Sequence, residues 1–401
     1  MRGYITREGI AQMPEAAMPE VRKAMECCTG QVKRAVIRYK DRFPEDNSDN
    51  GFYRLRENIG WTTGFWTGEV WLAYENAADD DMRRMMEESG RRQVLSFLDR
   101  IRAERDVDHH DMGFLFTPSC VAAYMLTGMQ EAREAAVAAA DRLISRFQPV
   151  GGFIQAWGAY GAPDNYRFII DCLLNLPLLY WASEETGDKR YREIADRHVH
   201  TAMKYVIRED DSTWHTVFMN PVTGEFDHGA TCQGYQDGSA WARGQAWGIY
   251  GTALAYKYTK REEYIGYFRR ITGYYLEHLP ADLCPYWDLM FSDAYGSDEP
   301  RDSSSAAIAA CGLLEMSRHL DGKEKKECES LARKFVKTLI DHYQVKDPAV
   351  SDGQLLHGVY AKKTPYNTCR ESGVDECVIW GDYYFMEALN RMLNPDWNVY
   401  W

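Results

Sequence analysis

Apolar and amphipathic helical segments alternate along this chain, and that alternation restricts the folds it can adopt more than any other feature. Helical periodicity predicts segments at about 17–40, 64–78, 81–103, 113–127, 131–147, 168–186, 189–208, 240–259, 261–278, 303–320, 323–344 and 380–392. Every second one is rich in small, aromatic and aliphatic residues, as in GFWTGEVWLAY, FIIDCLLNLPLLYWA, GQAWGIYGTALAY and SSAAIAACGLLEM. The others carry charge on one face, as in DMRRMMEESGRRQVLSFLDR and KEKKECESLARKFVKTLIDHY. A helix that is apolar nearly all round must be buried, and an amphipathic one covers it.

The connections alternate too. Apolar helices pass to amphipathic ones through short polar turns such as YENAADDDMRR and SEETGDKRYRE. The return connections are long and irregular, at 41–63, 104–112, 148–167, 209–239, 279–302 and 345–379. A helical hairpin recurring at intervals of about 50–75 residues marks a helical repeat. Six such hairpins, with a buried inner ring and an exposed outer ring, predict an all-α fold: an (α/α)6 barrel. An open solenoid is the alternative, disfavoured by the long loops and the lack of capping repeats. No Pro/Gly/Ser-rich linker interrupts the sequence, so residues 1–401 are expected to form one domain, with a small β-hairpin in the stretch STWHTVFMNPVTGE (213–226).

Charge narrows the partners. With 60 Asp plus Glu against 47 Lys plus Arg the net charge is −13, which opposes a nucleic-acid or anionic-membrane surface. The segment MRGYITREGIAQMPEAAMPE has no apolar core and no run of 18 apolar residues occurs, so neither a secretory leader nor a membrane span is expected. The ten cysteines form no CxxC pair and several lie in apolar helices, which predicts reduced, mostly buried thiols and a cytoplasmic protein. No GxSxG elbow, Walker loop or GxGxxG occurs, so a serine-hydrolase or nucleotide-cofactor reading lacks support and no cofactor is expected.

If the inner helices run parallel, their N-termini and the long loops meet at one end of the barrel. The chemistry-bearing motifs lie there: WTTGFW (61–66), DHHDMGF (108–114), RFIID (167–171), WARGQAWG (241–248), RDSSSA (301–306) and IWGDYY. Long loops on a rigid scaffold commonly hold sites. Asp171 lies within an apolar run, where a carboxyl must find a partner or keep its proton; the plainer reading is a capping or core Asp bonded to backbone N–H groups. Asp111 closes DHHD and is read either as a helix cap or as a second carboxylate facing Asp171, since paired carboxyls with split pKa values share acid and base roles. His109 and His110 are adjacent and so point apart, and no HxxxH spacing supports a metal, so no metal site is expected. Trp61, Trp66, Trp157 and Trp247 suit the core as well as a sugar-stacking wall.

At these motifs the chain resembles glycoside hydrolase family 88, the unsaturated glucuronyl hydrolases. The resemblance runs from RFPED, near residue 43, through DHHDMGFLF, FIQAWG, IIDCLLNLPLLYWA, DGSAWARGQAWGIYG and RDSSSAAIAACGLLE to IWGDYYFMEAL. It implies an (α/α)6 barrel that removes a 4,5-unsaturated uronic acid from the non-reducing end of lyase-generated glycosaminoglycan oligosaccharides, by hydrating the vinyl ether. It implies catalytic roles for Asp171, as acid/base, and Asp111. Substrate contacts are implied for Trp61, His110, Trp157, His215, Gln233, Arg243 and Trp247, with Arg243 as a carboxylate clamp.

Cys232 departs from the His carried by some members. At the three positions of a Ser-x-x-Ser-x-Lys loop that marks sulfate-preferring members stand Ala361, Thr364 and Tyr366, which weakens a sulfate requirement unless Lys362 and Lys363 supply charge instead. The partner expected is the oligosaccharide alone, with a monomer or homodimer. An unsaturated rhamnogalacturonyl hydrolase and a non-catalytic sugar-binding barrel are the alternatives. The surplus of acid on outer helices and turns does not oppose an anionic substrate if Arg243, His110 and His215 gather at the cleft, because surface charge is screened beyond about 8–10 Å.

Overall fold

The computed structural model describes residues 3–401; Met1 and Arg2, included in the single-domain expectation, lie outside the described residues. The chain opens with α1 (Arg7–Gln12), a short helix the periodicity does not predict, and α2 (Met18–Tyr39), followed by the ribbon β1 (Phe43–Asp49) and β2 (Phe52–Arg56). Next come α3 (Thr63–Glu75), α4 (Asp80–Arg102), α5 (Met112–Phe116), α6 (Ala122–Thr127) and α7 (Gln130–Ile144). The middle of the chain contains β3 (Phe147–Gln148), β4 (Phe153–Ile154), β5 (Arg167–Ile169), α8 (Pro177–Thr186) and α9 (Lys189–Val206). β6 (Thr216–Met219), β7 (Phe226–Ala230), α10 (Ala242–Thr259), α11 (Glu263–Glu277), α12 (Ser303–Ser317) and α13 (Gly322–Thr338) follow. The ribbon β8 (Gly358–Ala361) and β9 (Ser372–Glu376) then precedes α14 (Ile379–Leu393).

The inner ring is α3, α5–α6, α8 with the turn before it, α10, α12 and α14. In α3 every residue from Thr63 to Tyr74 is buried, and in α10 every residue from Ala242 to Ala255. These are the helices that are apolar all round in the sequence. Each inner helix packs on the next, and α14 returns to pack on α3, so the ring closes and the solenoid alternative falls. The amphipathic α4, α7, α9, α11 and α13 each cover an inner neighbour. The sixth hairpin is made from the two ends of the chain, with α2 covering α14. One apolar cluster runs from Ile10 to Trp401, which is completely buried. Among the described residues no helix is long and apolar enough to cross a membrane.

Three local outcomes differ from the periodicity. The helix expected at 168–186 begins as strand β5, continues as a tight 3-10 turn at Ile170–Leu174 and becomes α-helical only at Pro177. The run of aromatic and β-branched residues favours a strand, and proline is suited to the first position of a helix because it lacks the N–H that would go unpaired there. The helix expected at 113–127 carries a widened π segment at Thr117–Val121, which contains Pro118, whose missing N–H cannot join the α ladder. The hairpin expected at 213–226 exists as β6–β7, and β5 adds a third antiparallel strand. Further ribbons occupy loops for which no strand was predicted. β1 and β2 are joined by Asn50 and Gly51, both at positive φ (52° and 85°), the turn that an Asn-Gly pair favours.

Candidate active site

The inner-helix N-termini surround a cavity of about 720 Å³. Its floor is built from two crossing segments, the start of α5 and the 3-10 turn after β5. They approach so closely that a Cβ on Gly113 would lie 2.3 Å from the Asn175 Cα, so only glycine fits there. The side chain of Asn175, completely buried, ties them together. Its Oδ1 accepts a hydrogen bond from the Phe114 N–H at 2.8 Å, and its Nδ2 donates to the Asp171 carbonyl at 3.4 Å. Asp111 directly precedes α5 and Asp171 lies in the turn, so this knot fixes the spacing of the two carboxyls. Asp111 makes no capping hydrogen bond, which removes the helix-cap reading for it.

The two carboxyls are held in opposite states. Burial pushes Asp171 well above the usual carboxylate range, and the nearby charge of Asp111 adds to the rise, outweighing Arg243 and nearby backbone N–H groups. Asp171 Oδ1 is buried without a hydrogen-bond partner among the described residues. Asp111 is also buried, which by itself would raise it. His110, a hydrogen bond from His109 and the more distant Arg100 outweigh burial and hold Asp111 below its ordinary value. His109 Nδ1 stands 3.0 Å from Asp111 Oδ2. His110 Nε2 lies 3.3 Å from Asp111 Oδ1 and 3.7 Å from Asp171 Oδ1, and burial lowers the His110 pKa to about 4, so at neutral pH the ring between the carboxyls is uncharged. Asp171 is thus driven toward its protonated form beside an Asp111 driven toward its ionised form, the arrangement that acid/base catalysis needs.

Trp61, Trp157, His215, Gln233, Arg243 and Trp247 all line the cavity with the two aspartates. His110 does not. It is completely buried against the two carboxyls and forms no part of the wall. Trp157 is the most open of the expected residues at 38% exposure, with its ring edge-on to His110 at 5.6 Å. Trp61 stacks on Trp380 at 5.1 Å and donates from Nε1 to the Tyr360 hydroxyl at 3.0 Å. His215 Nδ1 accepts the Cys232 N–H at 2.9 Å; since an amide can only donate, the ring proton sits on Nε2. Burial lowers the His215 pKa to about 3, so it is neutral and offers that single donor. Gln233 Nε2 donates to the Tyr360 carbonyl at 3.1 Å.

Two expectations need correction. Arg243 is not free to act as a two-pronged carboxylate clamp. Its Nη1 pairs with Asp302 at 3.3 Å and bonds the Val359 carbonyl, its Nη2 donates to the Tyr360 carbonyl at 2.7 Å, and its plane lies over Trp241 and Trp380. Its unpartnered Nε is the donor that remains. Lys362 and Lys363 do not supply loose charge either: Lys362 pairs with Glu299 at 2.5 Å, and Lys363 donates to the Asn367 carbonyl at 2.6 Å.

Residue-by-residue reading of the sequence missed Asn175, Tyr360 and Trp380 as site residues. Asn175 had a signal, since it is a polar residue inside LLNLP, a run as apolar as the one around Asp171. Tyr360 becomes a wall residue only through the fold of β8.

His110, Asp111 and Asp171 bring donor atoms within 4.8 Å of one another, close enough to hold a cation. Binding one would require Asp171 ionised, against the direction in which burial drives it.

Comparison with known proteins agrees with this construction. The model of Glycosyl Hydrolase Family 88 matches residues 33–394. An unsaturated chondroitin disaccharide hydrolase of Streptococcus pneumoniae is 44% identical over 396 residues, covering 98% of this chain and 97% of its own. The crystal structure of an unsaturated glucuronyl hydrolase from Streptococcus agalactiae superposes with a TM-score of 0.92 at 42% identity, covering 98% of this chain and 96% of that one. An Asp-to-Asn variant of the agalactiae enzyme, solved with dGlcA-GalNAc6S, superposes with a TM-score of 0.84 at 39% identity over 98% and 96% of the two chains. The barrel, the paired carboxyls at its mouth and a sequence match over nearly the whole length lead to one conclusion: the chain belongs to glycoside hydrolase family 88.

Proposed function

We propose that residues 1–401 act as one catalytic domain that removes the 4,5-unsaturated uronic acid from the non-reducing end of glycosaminoglycan oligosaccharides left by lyases. The observation that carries this reading is the Asp171–Asp111 pair held in opposite protonation states at the floor of the cavity. Asp171 donates its proton to C4 of the vinyl ether, and positive charge develops at C5 and the ring oxygen. The Asp111 carboxylate faces that charge and stabilises it. Asp171, now ionised, takes a proton from water as the oxygen adds to C5. The product is a hemiketal; its ring opens to a ketone, and the anomeric carbon, no longer held in the ring, releases the remaining sugar. Protonating an enol ether needs a carboxylic acid that keeps its proton near neutral pH, which is what burial gives Asp171.

Trp61 and Trp157 offer ring faces for the sugars and His215 Nε2–H offers a donor on the cavity wall, while Trp247 and Arg243, whose Nε–H is unpartnered, line it almost wholly buried. The names of the relatives favour the glucuronyl or chondroitin substrate over a rhamnogalacturonyl one. A non-catalytic sugar-binding role leaves the buried, protonated Asp171 without a purpose. All ten cysteines are free thiols and eight are buried, which supports a reducing, cytoplasmic setting. The oligosaccharide is the partner, taken by a monomer or a homodimer.

The test follows the loss of unsaturated-uronate absorbance with chondroitin, hyaluronan and heparin disaccharides. Wild type should consume at least one, and Asp171→Asn should be slower by about 10²-fold or more. A wild type that consumes none, or an Asp171→Asn variant as fast as wild type, refutes the proposal.

A further inference from the structure

We propose that Arg167 is an unassigned anion-binding residue of this same site, holding its guanidinium ready for an acidic group of the substrate. The inference rests on the functional reading above and adds a cation to it. Arg167 begins β5, four residues before Asp171. Its guanidinium lies over two aromatic rings, 5.5 Å from the centroid of Trp157 and 5.2 Å from that of Phe218. Among the described residues it donates no hydrogen bond and meets no carboxylate at ion-pair distance, and its Nε is buried without a partner. It is half-buried, and burial lowers its pKa.

A desolvated charge without a counter-ion costs stability, so a fold that keeps one has a use for it elsewhere. Two other arginines close to the carboxyls are engaged by acids: Arg243 by Asp302 at 3.3 Å, and Arg146 by Asp108 at 2.7 Å. Arg243 keeps only its Nε unspent, whereas the Arg167 guanidinium spends none of its donors on the described residues. Arg167 does not itself line the cavity, but two residues that do stand beside it: Trp157 lies against its guanidinium, and Arg167 helps hold His215 neutral. An acidic group entering beside Trp157 therefore meets a guanidinium already desolvated and oriented, which lowers the ordering cost of binding. The group is either the uronate carboxylate or a sulfate ester on the neighbouring sugar; a guanidinium binds both through paired N–H donors.

The experiment compares wild type with Arg167→Met, which keeps the packing and removes the charge, and Arg167→Lys, which keeps the charge. KM, kcat and the Tm of the free protein are measured with non-sulfated and sulfated unsaturated chondroitin disaccharides. Losing a charge-assisted hydrogen bond should raise KM for Arg167→Met by about 10- to 100-fold with little change in kcat. Arg167→Lys should recover part of that loss. A rise on both substrates assigns the carboxylate, and a rise on the sulfated one alone assigns the sulfate ester. The Tm of Arg167→Met without substrate should equal or exceed that of wild type. An unchanged KM on both substrates overturns the proposal. So does a fall in Tm of several degrees, which would make Arg167 a structural prop for Trp157. The Tm result holds whether or not wild type consumes these disaccharides, so failure of the functional reading shows separately as an inactive wild type.

Discussion

Asp111→Asn tests the electrostatic logic of the floor without removing the acid itself. The substitution keeps the shape of the side chain and deletes the negative charge beside Asp171. The donor atoms of the two side chains lie within 4.8 Å of each other. At an effective dielectric of about 20, Coulomb's law gives roughly 3.5 kcal/mol of repulsion at that distance, or about 2.5 pK units; a water-like dielectric of about 80 gives about 0.6 unit. The cavity is open at one end, so the expected fall in the Asp171 pKa lies between these limits, at about 1–2 units.

The sign follows from the charges. With Asp111 ionised, ionising Asp171 places two negative charges together, so the proton is retained to higher pH. Without that charge Asp171 gives up its proton at lower pH. In wild type, activity should fall on the alkaline side as Asp171 loses its proton, and in Asp111→Asn that limb should move to lower pH. Because Asp111 also faces the developing positive charge, kcat should drop as well, so the pKa needs a readout independent of turnover. Carbon-13 titration of the aspartate carboxyls provides one, with the Asp171 signal identified by its disappearance in Asp171→Asn. An Asp171 pKa unchanged or raised in Asp111→Asn would refute the argument that Asp111 helps keep the acid protonated.

The packing makes further predictions. Gly113→Ala places a methyl 2.3 Å from the Asn175 Cα and should destabilise the fold by about 1–3 kcal/mol, seen in denaturant titration. It should also lower kcat by about 10²-fold, since displacing the Asp171 turn misaligns the acid; unchanged kinetics would mean that the turn tolerates movement. Arg391→Met, at the opposite end of the barrel, leaves Glu315 (2.8 Å from Arg391) and Glu387 (2.9 Å) buried without their cation. It should cost about 3–5 kcal/mol in thermal or chemical unfolding. Turnover measured well below the Tm should stay near wild type.

Much of this was legible in the sequence because it is encoded locally. Twelve helices were readable from periodicity, since burial on all sides or on one face leaves its mark on each segment separately. The ribbons were less legible. β1–β2 carried a usable signal in Asn50-Gly51, but FPEDNSD alternates poorly because only parts of the strand are buried. β5 was masked by its apolar continuation into Cys172 and Leu173, where strand and helix readings coincide until Pro177 separates them. Asp171 and Asp111 stood out as charges in or beside apolar runs. Tyr360 did not, because its place in the wall comes from a ribbon that closes over α10 and α12.

The alternation of apolar and amphipathic helices determined the barrel, and the motifs at the helix starts located the mouth, because hydrophobic pattern and chain order are properties of the sequence itself. Only the tertiary structure decided which groups are charged and which are spoken for. Asp171 is pushed toward holding its proton while Asp111 is pushed toward losing one, His110 is buried against both, Arg243 is engaged by Asp302 and two carbonyls, and the Arg167 guanidinium finds no hydrogen-bond acceptor among the described residues. Each of these depends on distances between residues far apart in sequence and on how much water the fold excludes between them.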